Sequence, residues 1–225
     1  MLKRNQQSGF SVVEMLVSLV AGLVVVAGAI SLFTSVMVSG NTTLMLSRLN
    51  QDVQSITDIM VRDIQRAGYH PSAAQGMDGN ASAASAAQAV LFSTTDDLYT
   101  SSGASAPDCI RIRYWDDEPV TRIYRFDQAS RELKCWGKNG CDPEGADITD
   151  TISNACTKSS NSTSKWYNLI ADQEISVDSL SFTLASGASA TGMRAIDLAI
   201  SASHATRPAL SMSLQRQIKL RNDGY

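Results

Sequence analysis

The sequence encodes an α+β protein: a long N-terminal helix, apolar in its first half and amphipathic in its second, packed on an antiparallel β-sheet head that carries disulfides. Three observations predict this class. Phe10 to Val38 is a run of 29 residues with a single charge, Glu14, and the next charge is Arg48. Beyond it, Leu49, Val53, Ile56, Met60, Ile64 and Ala67 recur at helical spacing, with Arg48, Asp52, Asp58, Arg62, Asp63 and Arg66 between them. From Val90 onward the pattern shifts to short period-two runs separated by turn-forming residues.

Residues 1–9 are short, polar and basic through Lys3 and Arg4, and a small residue, Gly9, precedes the apolar run instead of following it. Cleavage there removes a leader and leaves the helix in place, the reverse of an ordinary secretory signal. At about 1.5 Å per residue the apolar run reaches roughly 43 Å, enough to cross roughly 30 Å of hydrocarbon. The expected organisation is a leader at 1–9, a membrane-spanning half-helix at 10–38, an amphipathic half-helix at 39–68 and a β-rich head at 69–225. Lys3 and Arg4 hold the leader in the cytoplasm, so the topology is N-in and C-out, with an inner-membrane anchor and a periplasmic head.

Glu14 is costly where it stands, since a carboxylate near a helix centre in lipid costs roughly 2.5–3.5 kcal/mol. No Lys or Arg occurs between Phe10 and Arg48. Its expected partner is a freed N-terminal amine or a group on another chain; the alternative is that Glu14 lies near enough to the cytoplasmic interface to stay wet.

Gly9, Phe10 and Glu14, the last five positions into the cleaved chain, resemble the class III signal of type IV pilins and type II secretion pseudopilins. The resemblance implies that prepilin peptidase cuts after Gly9 and methylates the amine of Phe10. It also implies that Glu14 pairs with a neighbouring subunit's N-terminus during assembly. Major pilins usually carry a helix-kinking proline mid-segment, but Ser31 stands there and the first proline is Pro71. Arg62-Asp63-Ile64-Gln65-Arg66-Ala67-Gly68-Tyr69 and the terminal Ile218-Lys219-Leu220-Arg221-Asn222 are similar to segments of PilW-type minor pilins. The implied function is a minor pilin that initiates or caps a type IV pilus and supports twitching. The implied partners are prepilin peptidase, other minor pilins, the major pilin, the inner-membrane assembly platform and the retraction motor. A J-type pseudopilin of a type II secretion system shares this architecture, and a pilus-tip adhesin or DNA receptor is the alternative from a different class.

The helix is expected from about Ser11 to Ala67, ended by Gly68 as a left-handed cap. Pro71 to Gln88 reads as a loop rich in Ala, Ser and Gly. Strands are expected at Val90–Ser93, Cys109–Trp115, Val120–Phe126 and Arg131–Trp136, the last three forming a meander through turns at 116–119 and 127–130. Three more follow at Ile175–Ala185, Met193–Ser203 and Leu210–Leu220.

With 225 residues and 44% hydrophobic content, the chain can bury one sizeable core, and a formal charge of -3 gives no whole-molecule attraction to nucleic acid. Cys109, Cys135, Cys141 and Cys156 lack Cys-x-x-Cys spacing, which favours disulfides in an oxidising compartment over zinc. The meander places Cys109 and Cys135 at opposite ends, leaving Cys135 to bond Cys141 or Cys156; the favoured set is Cys135 with Cys141 and Cys109 with Cys156.

Asp142, Glu144, Asp147 and Asp150 could offer oxygen ligands to calcium, but without EF-hand spacing they read as a solvated acidic loop. Arg111, Arg113, Arg122, Arg125 and Arg131, interleaved with Trp115 and Tyr124, could form a nucleic-acid face. The preferred reading is solvent-face arginines balanced by Asp116, Asp117, Glu118 and Asp127, with no nucleic-acid partner expected. His70 and His204 stand in no catalytic motif, so neither an enzyme nor a cofactor is expected.

Overall fold

The computed structural model describes residues 9, 11–71, 92–137, 140–142, 144–145, 151–160, 165–170, 174–185 and 195–220. The chain divides into two compact units, Met1–Met45 and Leu46–Tyr225. Helix α1 runs from Val12 to Arg66. It is free of proline throughout, so nothing breaks its hydrogen-bond ladder.

In the first unit the large apolar side chains from Val12 to Val38 are 54–76% exposed. Hydroxyls in and after this stretch bond back along the helix: Thr34 Oγ1 to the Ile30 carbonyl at 2.9 Å, and Thr42 Oγ1 to that of Val38 at 3.0 Å. Such back-bonding lets a polar side chain sit in apolar surroundings.

In the second unit the stripe turns fully inward, and Val53, Met60 and Ile64 are 0% exposed. Each such burial contributes roughly 1.5–3 kcal/mol. The helix ends as its sequence dictates, with Gly68 at φ 77°. Gly68 N–H then donates to the Arg113 carbonyl at 2.9 Å and Trp115 N–H to that of Tyr69 at 2.8 Å, so the exit from α1 is stitched onto a strand.

That strand is β2 (Cys109–Asp116) of a sheet whose other members are β1 (Leu98–Tyr99), β3 (Glu118–Asp127), β4 (Glu132–Gly137), β5 (Glu144–Gly145) and β6 (Lys165–Asn168). The order is β1-β2-β3-β4-β6, with β5 paired to β3, and every pairing is antiparallel. A second antiparallel sheet, β7-β8-β9, is formed by Ile175–Leu184, Ala195–His204 and Arg207–Lys219. Phe182, Leu198, Ile200 and Ile218 from this sheet join the α1 stripe and Ile110, Ile112 and Leu133 from the first in one core.

Several expectations are corrected. Phe92 and Ser93 are not in a strand: a short helix α2 (Thr94–Asp97) follows them and pairing starts at Leu98. The turn expected at 116–119 shrinks to Asp117, at φ 59°, because pairing continues through Asp116 with Glu118. Cys109 and Cys135 do not lie at opposite ends. Cys109 pairs with Arg125 and Arg125 with Lys134, so Cys109 is nearly level with Cys135. They are kept apart by the intervening β3 and by alternation, which points Cys135 to the opposite face from Lys134 and Cys109.

The structure joins Cys109 to Cys156 and Cys135 to Cys141. The first bond ties helix α3 (Ile152–Cys156), capped by Thr151 Oγ1 accepting from Asn154 N–H, to the sheet face opposite α1. There Cys109, Ile123, Trp136, Ala155 and Cys156 form a second small core.

At the centre of the α1 contact, the Tyr124 hydroxyl donates to Asp63 Oδ2 at 2.5 Å, and Arg122 Nε lies 3.5 Å from the same oxygen. Burial, and then the adjacent Asp63 carboxylate, push the Tyr124 phenol well above its usual range. A phenol whose folded-state pKa is raised stabilises the fold fully below its unfolded value near pH 10, and that stabilisation is lost as pH rises beyond it. Chemical denaturation of the full chain in detergent should therefore show a steep loss of stability above about pH 10 that is shallower in Tyr124→Phe. A pair of equal slopes would refute the coupling.

The two disulfides close loops of unequal size, with sequence separations of 47 and 6. Loop-entropy reasoning gives about 4 kcal/mol for the first and about 2 kcal/mol for the second. The Cys109→Ser/Cys156→Ser double variant should lose more stability in denaturant titrations than Cys135→Ser/Cys141→Ser. The opposite order would show that the loop argument fails here.

Candidate processing and assembly site

Gly9 is exposed and lies outside the helix. A peptidase needs its scissile bond in accessible, non-helical backbone, and α1 begins only at Val12. Residues 1–8 and Phe10 lie outside the described residues, so the other partner in the expected junction is not placed. Met15 N–H donates to the Ser11 carbonyl at 3.1 Å, which starts the helical ladder two residues after Gly9. A Cβ built on Gly9 meets no atom within 4 Å. The fold of this chain thus does not itself require glycine there.

Glu14 occupies the first turn of α1 and is exposed. Among the described residues it makes no ion pair. A lone carboxylate at the head of an exposed apolar helix can receive a cation from outside its own described surroundings, and that is the chemistry this end of the molecule offers.

The other residues singled out from the sequence lie in the head and do not join this site. Of the five arginines only Arg131 is exposed as expected; Arg111 is buried and Arg113, Arg122 and Arg125 are partly buried. Arg111, 2% exposed, bonds Asp97 at 2.8 Å and the Asp96 carbonyl at 2.7 Å, and Arg113 reaches Asp97 at 3.0 Å. Arg122 donates to the Cys141 carbonyl and Arg125 to that of Cys156, so each steadies the backbone beside one disulfide. Arg125 also stacks 4.0 Å over Trp166, and Arg131 pairs with Asp178. Their acidic partners include Asp97, Asp63, Asp127 and Asp178, while none of Asp116, Asp117 and Glu118 takes part in the ion pairs described. Tyr124 is buried and cannot stack on a base.

Asp147 and Asp150 lie outside the described residues, as does the side chain of Glu144, and Asp142 is exposed. Among the described residues no group of three or more His, Cys, Asp or Glu is placed to hold a metal. His70 packs edge-on against Trp115, and His204 Nδ1 accepts from Thr206 N–H at 3.3 Å, so both are packed. The sequence reading missed Asp63 and Asp97 as structural anchors. Asp63 carried a signal, since it falls three residues after Met60 and four before Ala67 on the buried stripe.

An exposed small residue before a membrane-length apolar helix, a carboxylate in its first turn and an antiparallel head define a pilin-like protein anchored by its N-terminal helix. Residues 4–30 match the model of the prokaryotic N-terminal methylation motif. Residues 42–220 match that of prepilin peptidase-dependent protein B, and the chain belongs to that family. No curated protein and no solved structure matches the chain.

Because the space around Gly9 is open, Gly9→Val should leave the denaturation midpoint of the head unchanged while preventing removal of the leader. Intact mass of the membrane-extracted protein reads the second effect. Normal trimming of this variant would separate the cut from Gly9.

Proposed function

We propose that this chain is a PilW-type minor pilin: a non-catalytic subunit that initiates or caps a type IV pilus after removal of its leader. Exposed Glu14, which makes no ion pair among the described residues at the head of an apolar helix, carries this reading. Prepilin peptidase hydrolyses the bond between Gly9 and Phe10. Water supplies one oxygen to the carboxylate that leaves with Gly9 and a proton to the new amine of Phe10; transfer of a methyl group from a methyl-donor cosubstrate then replaces one N–H proton, and the protonated amine stays cationic. The amine is a cation created at the same end of the helix as the carboxylate that lacks one. Pairing across subunits neutralises two charges that would each be costly in lipid.

Before assembly the protein waits in the inner membrane, N-in and C-out, with its disulfide-bonded head in the periplasm. Its partners in this reading are prepilin peptidase, the other minor pilins, the major pilin and the assembly platform. The absence of a proline between Phe10 and Tyr69 favours a minor over a major subunit.

Glu14→Leu should be trimmed normally yet fall by about tenfold or more in sheared filament fractions, with Glu14→Asp intermediate. Quantitative mass spectrometry of those fractions measures both the amount and the mature N-terminus. Undiminished incorporation of Glu14→Leu, or an intact Met1 in filaments, would refute the proposal. A deletion that abolishes exoprotein secretion and spares twitching would reassign the subunit to a secretion pseudopilus.

A further inference from the structure

The two sheets differ in how their edges are closed. The first ends on β1, of 2 residues, and β6, of 4, too short to template another strand. In the second, β7 is sealed against the rest of the head: Val177 N–H donates to the Arg131 carbonyl at 2.9 Å and Phe182 N–H to that of Pro107 at 2.8 Å. The remaining edge is β9, 13 residues long, which pairs regularly with β8 over Ser211–Lys219, about 30 Å at roughly 3.3 Å per residue, before the register shifts beside Arg207. Among the described residues no strand pairs with its outer side.

The apolar core also stops one strand short at this edge. On β8, Ile200 and Ala202 are buried, yet their β9 partners Leu214 and Met212 are only half-buried, as is Leu210 two residues further along the same row. The opposite row, Ser211, Ser213, Gln215 and Gln217, is exposed and polar. An added strand would complete the cover of the apolar row and leave its other face in water, the usual condition of an antiparallel sheet.

Charge selects the occupant. Arg207, Arg216 and Lys219 are exposed, the strand holds no Asp or Glu, and none of the three makes an ion pair among the described residues. A second copy of this strand is disfavoured. Parallel in-register pairing with a second copy sets each cation beside itself, and like charges directly opposite are destabilising, while antiparallel pairing of two such strands offers Arg216 and Lys219 no acidic partner. Pro208 lacks an N–H and limits the pairable stretch to Ala209–Lys219.

We infer that the open edge of β9 is a docking strand, which takes an extended, acid-bearing segment of a different polypeptide by β-sheet addition. Backbone hydrogen bonds supply affinity, the Leu210, Met212 and Leu214 row supplies apolar contact, and the three cations supply selectivity.

The test uses the full chain in living cells, with a photo-crosslinking side chain at Ser213 and, as a control, at Ser181 on sealed β7. The expected result is a crosslink from Ser213, and not from Ser181, onto an extended segment of another protein that carries at least two Asp or Glu. Reversing Arg207, Arg216 and Lys219 to Glu should lower its yield by about tenfold, while Arg207→Lys with Arg216→Lys preserves it. Protease resistance and disulfide formation report that both variants remain folded; should the reversal variant misfold, a fall in yield at raised external salt serves in its place. No crosslink, a crosslink to a second copy, capture of a helix or a basic segment, or a yield indifferent to both charge reversal and salt would overturn the inference. None of these outcomes depends on Glu14 or on leader cleavage.

Discussion

One buried polar contact sits at the point on which the head's architecture turns. Asp63 occupies a position on the α1 stripe that periodicity reserves for an apolar residue, and it receives the Tyr124 hydroxyl from β3 and lies near Arg122. An isolated carboxylate buried to 7% exposure would be expensive, but here it is hydrogen-bonded and charge-matched. Hydrophobic contact alone would let a helix slide or rotate on a sheet. A directional bond fixes which turn of α1 meets which row of the meander. Arg122 then carries this register onward, through its bond to the Cys141 carbonyl, to the loop that Cys135 and Cys141 close.

The first sheet is buried on both faces, and this explains the features that a simple alternation misreads. Residues Cys109 to Ile112 of β2 are all buried. With the α1 stripe on one side and α3 on the other, no row of that strand is free to face water. Arg111 therefore has to be satisfied internally, and Asp97 on the short α2 meets it. The same two-sidedness decides the disulfides: Cys109 and Cys135 are neighbours in level but belong to different cores, so each bonds a residue from the segment that covers its own face.

The parts of the fold legible in the sequence are those where a long period dominates. Helix α1 and its end at Gly68, the three meander strands and the last three strands all declare themselves through sustained spacing or an obligatory left-handed residue. What was not legible depends on partners distant in the chain. The two residues of β1 and of β5 are too few to show any period, and β6 is a strand because β4 offers it an edge, with Trp136 opposite Trp166. The partition into two sheets follows from where β7 is sealed, which no local pattern encodes. At the processing end, the signal is legible because a peptidase reads a contiguous stretch of chain, so that its sequence has to be linear.

A subunit that waits in a membrane before joining an assembly has opposing requirements. It needs surfaces that bind strongly once the correct neighbour arrives, and those surfaces must not bind its own copies beforehand. The apolar span meets this by being soluble in lipid, where a carboxylate such as that of Glu14 is costly until a cation reaches it. An open strand edge in water has no such solvent to hide in, and its backbone groups are indifferent to sequence. Discrimination has to come from side chains that penalise the wrong strand more than they help the right one. Three like charges along β9, with Pro208 interrupting its start, do this without reducing the backbone bonding available to a complementary partner. Among the described residues, Glu14 near one terminus and the cations of β9 near the other make no ion pair, so each end carries a charge of defined sign that a like surface does not complete.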